Sequence, residues 1–149
     1  MFRGQFLHTI DVKGRVSLPS RYRDAIASQG GSCLIVTPAP FEPCLHIYPL
    51  VEWELFEKKV AEFSNWDRDI VHFRRIYVSA AIECEVDRNG RVVIPPHLRD
   101  KAELEKEVLW VGMGRIAEIW SKSRWDNAIS LNQEQMTAFK KSVMETIRI

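Results

Sequence analysis

The chain has 149 residues, of which 46% are hydrophobic and 28% are charged, and its formal net charge is +1 at pH 7. This composition is typical of a soluble globular protein and excludes an intrinsically disordered chain. No apolar run reaches the roughly 20 residues that a membrane-spanning helix needs. The N-terminal segment also lacks the apolar core and cleavage site of a signal peptide. We therefore expect a cytoplasmic protein without a membrane partner.

The cysteines and histidines show no familiar metal-binding spacing. Cys33, Cys44 and Cys84 are an odd number without a CxxC pair, and the four histidines are scattered without an HExxH motif. In a cytoplasmic protein this pattern favours buried, reduced thiols. The sequence predicts no zinc site and no cofactor.

The chain contains an internal repeat. Residues 6–23 align with residues 82–99 at a constant offset, and six of the aligned positions are identical. Such self-similarity predicts two copies of a small unit that pack as a pseudo-dimer within one chain. The identical pairs are Asp11/Asp87, Gly14/Gly90, Arg15/Arg91, Val16/Val92, Pro19/Pro95 and Arg23/Arg99.

Each repeat is predicted to begin with a β-hairpin. A strand over residues 5–10 or 83–86 precedes an Asp-x-x-Gly turn, and a second strand then runs to Pro19 or Pro95. Asp accepts hydrogen bonds from backbone N–H groups of such a turn, and Gly adopts the positive φ that other residues resist. The sequence therefore predicts that the two strands on either side of each turn pair with one another.

Each repeat then continues with a short helix, two more strands and a second helix. Ser20 is predicted to cap the first short helix, and Pro96 suits the first turn of its counterpart. Trp53, Phe63 and Trp125 are interpreted as core residues, since they follow apolar helical spacing. The later elements are predicted at residues 33–38, 44–49 and 49–63 in the first repeat and at residues 107–112, 116–120 and 121–129 in the second.

These elements divide the chain into four segments. Residues 1–63 form the first repeat and residues 64–80 a connecting helix. Residues 81–130 form the second repeat, and residues 131–149 a helical tail whose end is available for association.

Four segments of the chain resemble the MraZ family of the SpoVT–AbrB superfamily, which are bacterial transcriptional regulators. They are MFRGQF, DVKGR with VSLPSRYR, CLHIYPLVEWE, and DRNGR with VVIPPHLR. The resemblance covers about residues 1–130 and rests on two Asp-x-x-x-Arg motifs. It implies an α+β fold, a double swapped-hairpin (AbrB-like) β-barrel formed by the two tandem repeats, with flanking helices. It also implies a ring-shaped homo-oligomer that binds repeated boxes of double-stranded DNA upstream of the division and cell wall gene cluster.

Basic residues near the first turn are the expected DNA contacts. Residues 1–25 hold five basic side chains against two acidic ones, a local net charge of +3. Phosphate contacts position a hairpin in a groove, and arginine reads base edges, most often those of guanine. We expect Arg15 and Lys13 to contact DNA directly and Arg3 to contact a phosphate. In the second repeat the candidates are Arg88 and Arg91.

The acidic and glycine positions of both motifs are expected to have structural roles. Asp11 would fix the first turn and orient its arginine, because a carboxylate holds a guanidinium in one geometry; Asp87 is its counterpart. Gly14 and Gly90 are expected to serve conformation alone. Alternatively, each arginine only closes its turn through an internal salt bridge. This alternative fits the second repeat better, since Asn89 replaces a lysine there.

Two other classes of protein compete with a DNA-binding regulator as interpretations of the sequence. An enzyme is disfavoured, because the chain has no GxGxxG motif, no P-loop, no recognisable nucleophile–base pair and no expected small-molecule substrate. A protein-interaction module remains an alternative, since the helical tail could mediate association. Salt dependence distinguishes the two, because binding through several phosphates weakens steeply as salt rises.

Overall fold

The strands and helices follow one another in an order that is repeated once along the chain. A computed structural model describes all 149 residues, and its architecture is α+β. The strands are β1 (Gln5–Thr9), β2 (Arg15–Ser17), β3 (Cys33–Pro38), β4 (Cys44–Pro49), β5 (Ile82–Glu85), β6 (Arg91–Val93), β7 (Glu107–Gly112) and β8 (Ala117–Ser121).

The helices lie where the sequence predicts them. None of them is long and apolar enough to cross a membrane. A π-helical segment, Arg74–Val78, continues the connecting helix. The α-helices are α1 (Ser20–Ala27), α2 (Leu50–Ala61), α3 (Arg68–Phe73), α4 (Pro96–Lys101), α5 (Lys122–Ile129) and α6 (Gln133–Ile147).

Strands of both repeats are interleaved within one antiparallel sheet. Its six strands have the order β1-β7-β8-β4-β3-β5, and β2 and β6 form a separate two-stranded ribbon. The first strand of each repeat pairs with a strand of the other repeat: β1 with β7, and β5 with β3. A third pairing between the repeats, β4 with β8, lies at the centre of the sheet. The two repeats therefore share one sheet instead of forming separate bodies.

The prediction that the strands flanking each turn pair with one another is wrong. The first turn closes with a hydrogen bond from Asp11 N to Arg15 O at 3.0 Å, but β1 then runs along β7 while β2 runs along β6. The reason is that the two repeats are similar in sequence, so a strand of one repeat can pair with a strand of the other. The pairs β1–β7, β2–β6 and β5–β3 then join both repeats in one core. The finer expectation of a closed barrel stays a prediction, since β1 and β5 are the edges of the sheet.

The sheet has a covered layer on each face. On one face a cluster of 19 buried residues joins the ribbon, α1 and α4 to the sheet, with Trp110 among its largest side chains. On the other face α2 and the π-helical segment cover a cluster around Tyr48, Trp53 and Tyr77. A third cluster around Trp120 lies under α5.

Local predictions succeed or fail for identifiable reasons. Pro96 occupies the first turn of α4, as predicted. Ser20 does not cap α1, because Pro19 holds the N-cap position and the helix begins at Ser20 itself. Phe63 is 50% exposed and not a core residue, since α2 ends at Ala61. Trp53 is buried, as predicted.

The cysteines are free thiols, and their burial differs. Cys44 and Cys84 are buried, as predicted, whereas Cys33 is only partly buried. Burial raises the pKa of the Cys84 thiol to about 11, so this thiol is protonated at neutral pH.

Candidate nucleic-acid interface

The first Asp-x-x-x-Arg motif forms a turn held together by one carboxylate. Asp11 Oδ1 accepts from the backbone N–H groups of Lys13 at 3.0 Å and of Arg15 at 2.9 Å. Its Oδ2 accepts from Arg15 Nε at 2.6 Å. The Arg15 backbone N–H and then its guanidinium hold the pKa of Asp11 below its usual value. The charged carboxylate thus fixes both the turn and the direction of Arg15.

The second motif has the same backbone frame and a looser ion pair. Asp87 Oδ1 accepts from Asn89 N at 2.8 Å and from Arg91 N at 2.9 Å. Arg91 Nε lies 3.5 Å from Asp87 Oδ2 and makes no hydrogen bond, although that nitrogen is buried. The Arg91 backbone N–H is the main cause of a lowered pKa at Asp87. The second arginine is therefore held less tightly than the first.

The ribbon of β2 and β6 brings the two motif arginines to one surface. In its antiparallel register Arg15 is opposite Val93, and Ser17 is opposite Arg91. Val16 is buried against the main core, as is its partner in β6, and alternate residues of a strand face opposite sides. Both arginines consequently lie on the outer face of the ribbon, each 37–38% exposed.

The other predicted contact residues lie at three separate places. Lys13 and Arg88 are exposed within the turns at the two ends of the ribbon. Arg3 lies beside the β7–β8 turn, where its neighbour Phe2 pairs with Gly114. Strand β1, about 17 Å long at 3.4 Å per residue, separates Arg3 from the first turn. The structure therefore groups Lys13 and Arg15 and leaves Arg3 apart from them.

A residue of the second repeat holds the first turn in place. Arg99 donates from Nε to Ile94 O at 2.9 Å and from Nη1 to Val12 O at 3.5 Å. Gly14 has a φ of +83°, and a Cβ there would clash with the Ile94 carbonyl oxygen and lie 3.0 Å from Arg99 Nε. Only glycine suits this position, because the turn lies directly against backbone of the other repeat.

The counterpart contact is made by Arg23. Its guanidinium lies over Gly90, where a Cβ would come within 2.6 Å of Arg23 Nη1. The sequence contained one signal for both arginines, because Arg23 and Arg99 are identical in the repeat alignment. The sequence did not predict that they hold the turns, because each arginine contacts the turn of the other repeat.

One group of side chains could hold a metal ion. The donor atoms of Cys44, His46 and Glu118 all lie within 4.8 Å of one another. Burial alone would raise the pKa of Glu118, but contacts with His46 and Trp120 bring it below its usual value. This group is on the sheet face opposite the ribbon and takes no part in the turns.

These features define a class of protein, an α+β chain of two interleaved repeats whose Asp-x-x-x-Arg turns present arginines on a shared ribbon. A family model described as "MraZ protein, putative antitoxin-like" matches residues 1–75 and 77–145. The chain belongs to the MraZ family, and the resemblance seen in the sequence is confirmed.

Relatives named "Transcriptional regulator MraZ" match most of the chain. The relative from Carboxydothermus hydrogenoformans is 42% identical over 127 residues, 85% of each chain. That from Syntrophobacter fumaroxidans is 41% identical over 89% of this chain and 87% of its own. The relative from Pediococcus pentosaceus is 35% identical over 97% of this chain and 98% of its own. Family membership supports a transcription regulator and confirms the prediction that the chain is not an enzyme.

Proposed function

We propose that this protein regulates transcription by binding specific double-stranded DNA sequences through the outer face of the β2–β6 ribbon. The observation that carries the proposal is the placement of the two motif arginines on that face, the first of them oriented by a carboxylate. Arg15 and Arg91 are both partly exposed there, and the exposed Lys13 and Arg88 flank them in the turns.

Arg15 is the proposed base-reading residue. Its Nε is bound to Asp11 at 2.6 Å, so the guanidinium is oriented before DNA arrives and loses little freedom on binding. The terminal nitrogens of an arginine held through Nε remain free to donate to the O6 and N7 atoms of one guanine. Arg91 has the same position in its motif but a looser partner, and we assign it a supporting contact.

Lys13, Arg88 and Arg3 are the proposed phosphate contacts. Lys13 and Arg88 lie in exposed turns at opposite ends of the ribbon, where they would meet backbone on the two sides of a groove. Arg3 is separated from the first turn by the length of β1, so it would contact a phosphate farther along the duplex.

Oligomerisation belongs to the same proposal. One ribbon offers few contacts, and several copies on a ring would multiply their effect when the target contains repeated boxes. We propose a homo-oligomeric ring that binds such boxes upstream of the division and cell wall cluster, in the cytoplasm and associated with the nucleoid. Within each chain we propose residues 1–63 and 81–130 as the repeats of a swapped-hairpin barrel, linked by residues 64–80 and followed by a tail at 131–149.

The direct test is fluorescence anisotropy of a labelled duplex from the gene's own upstream region. Wild type, Arg15→Ala and Arg91→Ala are titrated at two salt concentrations, with a scrambled duplex as control. We expect salt-sensitive preference for the upstream duplex, lost in Arg15→Ala and reduced in Arg91→Ala. Removal of one bidentate arginine contact should cost about 1–3 kcal/mol. Equal binding of both duplexes, or unchanged specificity in a folded Arg15→Ala protein, would contradict the assignment.

A protein-interaction module is the second candidate, and the tail favours it. Helix α6 has no buried residue, and Phe139, Met144 and Ile147 are each more than half exposed. Such a surface suits a protein partner. Binding that is insensitive to salt and survives Arg15→Ala would favour this candidate.

A further inference from the structure

The pairing of β4 with β8, one strand from each repeat, brings together three side chains with metal-ligating atoms. Cys44 and His46 are two residues apart on β4, and alternate residues of a strand share a face. Glu118 on β8 is directly opposite His46 in the antiparallel register. Cys44 and Glu118 are buried, and His46 is partly buried. One side chain therefore comes from the second repeat and two from the first.

The spacing of these groups fits shared ligation better than a hydrogen bond. His46 Nε2 and Glu118 Oε2 are 3.4 Å apart, beyond the usual N–H···O range of about 2.7–3.2 Å. Two nitrogen or oxygen donors bound at about 2.0–2.1 Å to one tetrahedral ion lie roughly 3.4 Å apart. Cys44 Sγ is within 4.8 Å of both, close enough for the three side chains to close around one ion by a small movement.

The surrounding residues form hydrogen bonds with His46 Nδ1 and Glu118 Oε1. His46 Nε2 and Glu118 Oε2, which face one another, remain available to an ion. His46 Nδ1 is 2.6 Å from Tyr77 Oη, which in turn is 2.7 Å from Tyr48 Oη. Trp120 Nε1 donates to Glu118 Oε1 at 3.0 Å. If Nδ1 donates to the tyrosine, Nε2 carries the lone pair that a metal requires. A histidine that binds a metal through one ring nitrogen usually donates a hydrogen bond from the other.

We propose that Cys44, His46 and Glu118 bind one divalent cation of the zinc class. A thiolate, an imidazole and a carboxylate suit Zn²⁺, whereas Mg²⁺ and Ca²⁺ prefer oxygen donors alone. Binding forms a bond from the cation to Cys44 Sγ and releases the thiol proton to solvent. The side chains of His46 and Glu118 are 19% and 11% exposed, so water has access to complete the coordination.

The bound cation would connect β4 to β8 and so fasten the first repeat to the second. The site lies on the sheet face opposite the ribbon, and ligand binding there stabilises the folded chain without touching the turns. The proposal departs from the sequence-based expectation of no zinc site. That expectation used spacing along the chain, and Glu118 approaches His46 only through strand pairing.

Cobalt substitution tests the site through the sulfur ligand itself. Untagged, metal-free protein, kept reduced without added thiol, is titrated with Co²⁺ and then with Zn²⁺. We expect one equivalent of Co²⁺ to give a sulfur-to-cobalt charge-transfer band, which Zn²⁺ abolishes, and a higher thermal midpoint with either ion. Cys44→Ser should lose the band, and His46→Gln should bind at least a hundredfold more weakly. Tyr77→Phe should lose about 10–100-fold in affinity.

Cys84→Ser is the matched control, because Cys84 is also buried but lies in the core on the other face of the sheet. It should keep the band and the affinity of wild type. The proposal is overturned if folded wild type shows no sulfur band, or if Cys44→Ser keeps it. It is equally overturned if Cys84→Ser loses the band while His46→Gln retains full affinity. In those cases the group is only a buried polar network.

Discussion

The two turns share a backbone frame and differ in the side chains that they hold. In each, one aspartate oxygen accepts from two backbone N–H groups, and a glycine has positive φ. The distance from arginine Nε to aspartate Oδ2 is 2.6 Å in the first turn and 3.5 Å in the second. Aspartate and glycine therefore determine the turn, while the orientation of the arginine varies independently of it.

The turns also differ in what lies against their glycines. Gly14 faces the carbonyl oxygen of Ile94 and the Nε of Arg99, and Gly90 faces the guanidinium of Arg23. Backbone therefore lies nearest to an added Cβ at Gly14, and the end of a flexible side chain lies nearest at Gly90, although both glycine carbonyls accept a backbone N–H of the other repeat, from Ile94 and from Leu18. We expect the first turn to be the more rigid of the two.

Alanine at the two glycines should have the largest and most unequal effects on stability. Gly14→Ala adds a clash with backbone to an unfavourable φ, and should lower the free energy of unfolding by about 3 kcal/mol or more. Gly90→Ala should cost less, because Arg23 can move away. Urea unfolding followed by circular dichroism measures both.

Gly30→Ala is the control for the φ contribution. Gly30 has a φ of +84°, and nothing lies within 4 Å of an added Cβ. Its substitution should cost only about 1 kcal/mol. Equal losses at Gly14 and Gly30 would show that contact between the repeats does not confine the first turn.

Removing the arginines that contact the turns should have the next largest effect. Arg99→Ala loses donors to Ile94 O and Val12 O, and a hydrogen bond from a charged donor contributes about 1.5–3 kcal/mol. We expect it to reduce both stability and affinity for the upstream duplex. Arg23→Ala should affect affinity less. Larger loss of affinity in Arg23→Ala would reverse the assignment of roles to the two turns.

Exchanging the charge between the turns should change the salt dependence of DNA binding. Lys13→Asn gives the first turn the residue of the second, and Asn89→Lys does the reverse. Loss of one phosphate contact lowers the slope of log affinity against log salt by about 1 for each chain that touches DNA. We expect a shallower slope in Lys13→Asn and a steeper one in Asn89→Lys. If only Lys13→Asn changes the slope, the second turn makes no phosphate contact.

The sequence located the elements well because each has its own local signal. The bounds predicted for β4 and β7 are those observed, since apolar runs end at proline or glycine. It did not identify the partners of β1 and β5. The local pattern shows which face of a strand is buried. The strand that lies next to it in the sheet depends on how the two repeats pack together.

The same distinction applies to the candidate sites. Asp11, Gly14 and Arg15 could be recognised because their interactions are confined to a few consecutive residues. Arg99 acts on a turn of the other repeat. The group of Cys44, His46 and Glu118 is created by the register of β4 with β8. Contacts that depend on exchange between repeats have no local pattern along the chain, and the only trace of the turn contacts is the identity of Arg23 and Arg99 in the repeat alignment.

Neutralising the two aspartates should have the smallest effect and should depend on pH. Asp11→Asn keeps an oxygen for the backbone N–H groups but loses the ion pair with Arg15. The lowered pKa of Asp11 means that its charge stabilises the folded chain above the unfolded value near 3.8, and that this contribution disappears as pH falls through the folded pKa. Wild type should thus exceed Asp11→Asn in stability at pH 7, and the difference should shrink below pH 3.8 and vanish once pH has fallen below the folded pKa. Asp87→Asn should show a smaller difference, since the looser Arg91 contact is among the weakest causes of its shift. Thermal unfolding across this pH range measures both, and equal differences would mean that the tighter ion pair adds nothing beyond the shared backbone frame.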